Sequence, residues 1–121
     1  PGIGCPVIAS LTGVQKVLLV VEPSKSGLHD LERVATLCQK FTIPTLALIN
    51  KHNLNHEMTR LAEELLEKLN IPLLGKLNFD ENFVKAMIEG KTIIEYAPES
   101  ETSNTLKQCW RDFFFTNNAA Y

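Results

Sequence analysis

Apolar and polar positions along this chain form blocks that predict strands separated by amphipathic helices. Apolar runs occupy Val17–Val21, Thr45–Ile49 and residues 72–77, and such runs are typical of strands buried on both faces. Between them, apolar residues recur every three or four positions over residues 26–40 and 58–69, which predicts two helices. Helical crossovers join parallel strands with a right-handed turn, so the pattern predicts a three-layer α/β fold with a mostly parallel sheet.

The pattern after residue 78 is more broken. It predicts a short helix that ends at Gly90, an extended piece over residues 92–96 and a polar link over 98–102. A last helix is expected to begin near Ser103. The apolar positions of that helix fall on one face, and they are Leu106, Cys109, Trp110, Phe113 and Phe114. We expect this face to pack on the sheet. The alternative is that it binds a partner protein.

Two similar nine-residue segments, residues 42–50 and 70–78, align without a gap. Each copy follows a helical pattern, enters a strand through Ile-Pro and ends at an Asn. In open α/β sheets ligands bind outside the carboxyl ends of parallel strands, which share one edge. The residues predicted at that edge are Glu22, Pro23, Asn50, Lys51, Asn78 and Asp80.

These side chains suit the recognition of a nucleotide base. An Asn amide has one acceptor and two donors, so Asn50 or Asn78 can match the edge of a base. Asp80 can accept a hydrogen bond from an exocyclic amine, and Lys51 can hold a phosphate or cover a ring with its stem. Caps and turns are the alternative explanation, because Asn favours turns and Asp80 can cap the helix that follows.

Composition removes several other classes of function. The 12 basic and 14 acidic residues give a net charge of −2, so nucleic acid is not an expected partner, and no apolar run reaches the length of a membrane span. Cys5, Cys38 and Cys109 are isolated, which favours core positions and a cytoplasmic setting. His52 and His56 are a weak candidate metal pair without an evident third ligand, so no metal site is predicted.

The sequence contains neither GxxxxGK[ST] nor GxGxxG, so it has no recognisable phosphate-binding loop. Several segments nevertheless resemble the C-terminal half of the MinD/ParA-like P-loop ATPases, over about residues 1 to 98. The similarity is greatest to the subgroup with an inserted ferredoxin-type iron–sulfur domain. The segments that carry it are Pro1-Gly-Ile-Gly-Cys-Pro6, Glu22-Pro23, Ser26-Gly-Leu-His-Asp30, Ile49-Asn-Lys51, Leu74-Gly-Lys-Leu-Asn-Phe-Asp80, Ala86 and Gly90-Lys91.

The resemblance implies roles for individual residues. Asn50 matches the Asn that reads the adenine edge, and Asp80 matches an acidic residue near the adenine. Asn78 stands where the family usually has Pro. Gly2 matches the end of the Asp-x-Pro-Pro-Gly switch that senses the γ-phosphate, and Glu22-Pro23 matches a segment near the nucleotide and the dimer interface.

The resemblance also implies that this chain is a fragment: residues 1–98 would be part of a nucleotide-binding domain, and residues 99–121 a helix and tail packed on it. The parent would be an ATPase that uses ATP or ADP with Mg²⁺, with a homodimer, an iron–sulfur cluster and a redox partner as further expectations. The family's phosphate-loop strand would lie beside Val17–Val21. Without the phosphate-loop half we expect this chain to show no ATPase activity. The alternative is a stand-alone protein-interaction module that binds no nucleotide.

Overall fold

A computed structural model describes residues 4–116. Its helices and strands follow one another in the order α1 Cys5–Leu11, β1 Val17–Val21, α2 Lys25–Lys40, β2 Thr45–Ile49, α3 His56–Lys68, β3 Leu73–Lys76, α4 Asn82–Ile88, α5 Ile93–Tyr96 and α6 Glu101–Phe115. The strands form one parallel sheet in the order β1-β2-β3. The predicted α/β architecture is confirmed.

The central strand β2 is buried along its whole length, which explains why all five of its residues are Thr or apolar. On one face of the sheet, α2 and α3 cover a core that includes Leu31, Ala47 and Leu66. On the other face, α6 packs through Cys109 against Leu48 and Leu77. A smaller core of Leu11, Cys38 and Ile43 joins α1 to the C-terminal end of α2.

The two copies of the nine-residue segment have the same backbone at their first residue. Thr42 and Asn70 both adopt φ = 56°, in the left-handed region. In each copy the residue after it, Ile43 or Ile71, donates its N–H to a carbonyl five residues back, at Cys38 or Leu66. This is the Schellman ending of a helix, and it turns the chain from each helix into the next strand.

Several expectations about single elements were wrong. Residues 93–96 form the helix α5 rather than an extended piece, because Thr92 and Glu95 build a reciprocal capping box at its start. The helix α1 has no counterpart in the sequence prediction. The last helix begins at Glu101, close to the expected start near Ser103, and Ser100 caps it by accepting a hydrogen bond from the N–H of Ser103.

Two expectations about burial also needed correction. Cys5 is exposed on α1, whereas Cys38 and Cys109 are buried as predicted. On α6 only part of the predicted face packs on the sheet: Trp110 and Phe114 are 60% and 57% exposed, with their rings in edge contact at 4.6 Å between centroids. Phe115 is also exposed. Residues 117–121, which include the predicted tail, lie outside the described residues.

Candidate functional site

The carboxyl ends of the three strands lie side by side, as the parallel topology requires. Val21 is in register with Ile49, and Ile49 with Lys76. Backbone hydrogen bonds continue beyond the strands: the N–H of Asn50 donates to Val21, and the N–H of His52 donates to Leu77. The loops that follow β1, β2 and β3 therefore begin at one edge of the sheet.

Asn50 lies at the centre of that edge, directly after the buried strand β2. Its Oδ1 accepts a hydrogen bond from the N–H of Lys51 at 2.9 Å, which fixes the orientation of the amide. No hydrogen bond from its Nδ2 is found within residues 4–116, and because no buried side-chain nitrogen or oxygen there lacks a partner, this Nδ2 is open to solvent. The half-buried Asn50 thus presents two unused N–H donors beside an oxygen that retains acceptor capacity.

Lys51 has a left-handed backbone, with φ = 54°, which is uncommon for a residue with a side chain. Its Nζ lies 3.6 Å from a carboxylate oxygen of Glu22, in the loop after β1. The Lys51 and Glu22 side chains are 40% and 64% exposed, so this ion pair contributes about 0–1 kcal/mol to stability. The Lys51 ammonium and the Glu22 carboxylate can therefore exchange this contact for another partner. Pro23, next to Glu22, is buried.

Two asparagines, Asn78 and Asn53, differ from Asn50 in their surroundings. Asn78 is half-buried, and its side chain forms no hydrogen bond with the described part of the chain. Asn53 was not a predicted site residue, yet its Oδ1 accepts a hydrogen bond from the N–H of Phe79 at 2.7 Å. Asn53 therefore ties the loop after β2 to the loop after β3. Only its place in a polar loop hinted at this contact.

Asp80 is the most constrained side chain of the edge. Its Oδ1 accepts from the N–H of Asn82 at 2.8 Å, and its Oδ2 accepts from the Thr102 hydroxyl at 2.6 Å. The Thr102 hydrogen bond, then that of Asn82, and then the nearby charge of Lys85 lower the pKa of Asp80. The formal N-cap of α4 is Glu81, which makes no side-chain capping bond, and it is Asp80 that satisfies the N–H of Asn82, the first residue of the helix.

The start of α2 approaches β1 closely. Ser24 caps the helix by accepting a hydrogen bond from the N–H of Gly27. A Cβ atom at Gly27 would lie only 2.0 Å from the carbonyl oxygen of Glu22, so only glycine allows this approach. A groove of about 400 Å³ lies between β1 and α2, lined in part by Val20, Glu22 and Asp30.

The fold does not bring the remaining candidate residues together into a site. Gly2 lies outside the described residues. His52 is in the loop after β2, and His56 opens α3. Across residues 4–116, His, Cys, Asp and Glu side chains form no group of three that is placed to hold a metal ion. In the same part of the chain, no helix is both long enough and apolar enough to cross a bilayer.

The edge can recognise a flat, polar ring. A primary amide can donate to one atom of a base and accept from the next, as Asn does with N7 and the N6 amine of adenine. Asn50 carries that donor and acceptor pair, and the carboxylate of Asp80 adds an acceptor on the neighbouring loop. These groups are donors and acceptors of the kind that base recognition uses.

Comparison with known proteins identifies the family. The family model described as "ParA: NUBPL iron-transfer P-loop NTPase" matches residues 1–114. The chain belongs to the ParA family of P-loop NTPases. Its fold agrees: the MinD cell division protein of Aquifex aeolicus superposes on 99% of this chain with a TM-score of 0.77 and 18% sequence identity. At that identity the likeness establishes the fold alone.

Relatives of this ParA-family chain are longer than the chain itself. An uncharacterized protein of Methanocaldococcus jannaschii is 25% identical over 95 residues, which are 78% of this chain and 31% of the relative. An uncharacterized ATP-binding protein of the same organism is 30% identical over 80 residues, which are 66% of this chain and 31% of the relative. The chain also spans only 52% of the MinD structure.

Membership in a P-loop NTPase family implies a nucleotide with Mg²⁺. The residues of this chain fit the base end of a nucleotide, since Asn50 presents unused donors at the sheet edge. The sequence offers no loop of the P-loop type for the phosphates. The described cysteines do not fit an iron–sulfur cluster, because Cys38 and Cys109 belong to separate cores and Cys5 is exposed.

Proposed function

We propose that this chain carries the adenine side of the nucleotide site of a MinD-like P-loop ATPase, as part of its C-terminal half. The observation that carries the proposal is the amide of Asn50. It stands at the carboxyl end of the central strand, its oxygen is oriented by the N–H of Lys51, and its NH₂ group has no acceptor in the described chain. A base that accepts there would replace water as its hydrogen-bond partner.

The neighbouring residues complete this arrangement. In the proposed complex Asn50 donates to N7 of adenine and accepts from its N6 amine. Asp80 offers a further acceptor, and the stem of Lys51 covers the ring face. Asn78 and Glu22-Pro23 border the ring, and Gly2 belongs to the γ-phosphate side.

The phosphate side is proposed to come from the region that the relatives have beyond this chain. Within residues 4–116, β1 pairs only with β2, so the other edge of β1 has unused backbone donors and acceptors. Val20 is 63% exposed on this strand. An added strand beside β1 would use those groups, cover Val20 and bring its own loop to the carboxyl edge.

For the parent protein we propose ATP hydrolysis coupled to conformational change. The resemblance to the ferredoxin-containing subgroup extends this proposal to iron–sulfur electron transfer, with a homodimer and a redox partner. The description of the matching family as iron-transfer NTPases agrees with an iron-linked role. The cluster would be held outside this chain.

Titration of the 121-residue chain with ADP, followed by backbone and side-chain amide NMR, tests the proposal. We expect weak binding with shift changes at Asn50 and Asp80. The Asn50→Ala variant should bind ADP about tenfold more weakly, because it loses two hydrogen bonds to the base at about 0.5–1.5 kcal/mol each.

Gln39→Ala is the matched control, since it removes a primary amide from the exposed C-terminal end of α2, at the opposite end of the sheet from this edge. We expect ADP affinity to stay within about twofold of the unchanged chain, because Gln39 lies away from the proposed site. Shift changes confined to the exposed aromatic residues of α6, or none at all, would reject the nucleotide site. They would favour the interaction-module alternative, whose working surface includes Trp110 and Phe114.

A further inference from the structure

The hydrogen bond between Thr102 and Asp80 joins two distant parts of the chain. Thr102 is the second residue of α6, it is buried, and its hydroxyl donates to Oδ2 of Asp80 at 2.6 Å. The N–H of Asn82 donates to the other oxygen of the carboxylate. Both oxygens of Asp80 are therefore held, one by its own loop and one by the last helix.

Held in this way, the carboxylate can only accept further hydrogen bonds. An ionised carboxylate has about four lone-pair sites on its two oxygens, and two of the four are used here. The remaining sites suit a donor such as the N6 amine of adenine. They repel the O6 carbonyl that guanine has at the same ring position.

We propose that Thr102 is a positioning residue that holds the Asp80 carboxylate toward the exocyclic group of the base, so that the site prefers adenine to guanine. The proposal rests on the proposed function and goes beyond it by assigning base selection to a contact from α6. Without the Thr102 hydroxyl, Asp80 keeps only its bond to Asn82 and can rotate away from the base.

A purely structural role for Thr102 makes a different prediction. In that case its hydroxyl would only fasten α6 to the sheet edge. Thr102→Val, which keeps the shape of the side chain and removes the hydroxyl, would then lower stability without changing the choice of base. Thr102→Ser keeps the hydroxyl and provides the conservative rescue.

The experiment measures Kd for ADP and for GDP with the unchanged chain, Thr102→Val and Thr102→Ser, together with their melting temperatures. We expect the unchanged chain to prefer ADP. Thr102→Val should weaken ADP binding about tenfold or more and lower the ratio of ADP affinity to GDP affinity, because an Asp80 carboxylate that is no longer held loses its own hydrogen bond to the N6 amine. Thr102→Ser should restore both values.

Asp80→Asn supplies a second variant that does not depend on Thr102. Its side chain places an N–H donor at the position of the carboxylate, so the preference for ADP over GDP should decrease. The positioning role would be overturned by an unchanged ratio of ADP affinity to GDP affinity in Thr102→Val or in Asp80→Asn, or by a failure of Thr102→Ser to restore that ratio. In each of these cases, normal ADP binding by the unchanged chain would leave the proposed function standing. Absence of ADP binding by the unchanged chain would overturn both.

Discussion

At the scale of single residues, the charge of Asp80 depends on groups that the fold brings to it. The Thr102 hydroxyl, the Asn82 N–H and the charge of Lys85 each favour the ionised carboxylate, so its pKa is lower in the folded chain than in the unfolded chain. Such a group stabilises the fold above its unfolded pKa. This contribution is lost as the pH falls through the folded pKa.

Replacement of Thr102 by Val should therefore raise the pKa of Asp80 toward its ordinary value of about 3.9. The measurement is a titration of the Asp80 side-chain carbon by NMR in the ligand-free chain. Denaturant unfolding at neutral pH should show a lower free energy of unfolding for the variant than for the unchanged chain. This difference in free energy should become smaller below about pH 4. Thr36→Val is the control, because the Thr36 hydroxyl donates to a backbone carbonyl on the exposed side of α2. An unmoved Asp80 pKa in Thr102→Val would contradict this account.

At the scale of elements, β3 and α6 approach each other through Gly75. A Cβ atom placed on Gly75 would lie 2.7 Å from Sγ of Cys109, closer than real carbon–sulfur contacts allow. Cys109 is 4% exposed and belongs to the core beneath α6, so its sulfur has little room to move. The absence of a side chain at Gly75 thus sets how closely the last helix packs on the sheet.

Gly75→Ala should lower the free energy of unfolding by about 1–3 kcal/mol, the usual cost of overfilling a core. In a Cys109→Ala background the obstructing sulfur is gone, and the same substitution should be nearly neutral. Denaturant unfolding of the four proteins in this double-mutant cycle measures the coupling. An equal cost of Gly75→Ala in both backgrounds would show that the contact with Cys109 does not limit the packing.

At the scale of the whole molecule, the site proposed at the sheet edge has the base end of a nucleotide site without the phosphate end. Most of the catalysis in phosphoryl transfer comes from positioning and charge stabilisation around the phosphates. The chain belongs to a P-loop NTPase family but contains no GxxxxGK[ST] segment. Base recognition and hydrolysis should therefore be separable in this molecule.

The purified 121-residue chain should show no ATP turnover above background in a phosphate-release assay with Mg²⁺. Asn50→Ala, purified in the same way, is the control for contaminating ATPases, because any contaminant would be present in both preparations. Turnover in the unchanged chain that disappears in Asn50→Ala would contradict the prediction. It would show that this chain completes a phosphate site by itself.

The sequence by itself determined the layered α/β fold and the edge at which the polar residues meet. Apolar runs and helical periodicity depend on local order along the chain, and a parallel sheet has only one way to align the carboxyl ends of its strands. For the same reason the sequence placed Asn50, Asn78 and Asp80 on neighbouring loops. It failed at residues 93–96, where a local capping box outweighed the β-branched Ile93 and Ile94.

Only the tertiary structure decided what each side chain at that edge is free to do. The sequence does not show that the Asn50 NH₂ group has no acceptor within residues 4–116 while both oxygens of Asp80 are held, because one of the two partners of Asp80 is Thr102, 22 positions away. It also does not show that Asn53 anchors the N–H of Phe79, or that Trp110 lies outside the packed face of α6. These outcomes depend on contacts between residues far apart in the chain, and such contacts exist only once the helices have packed on the sheet.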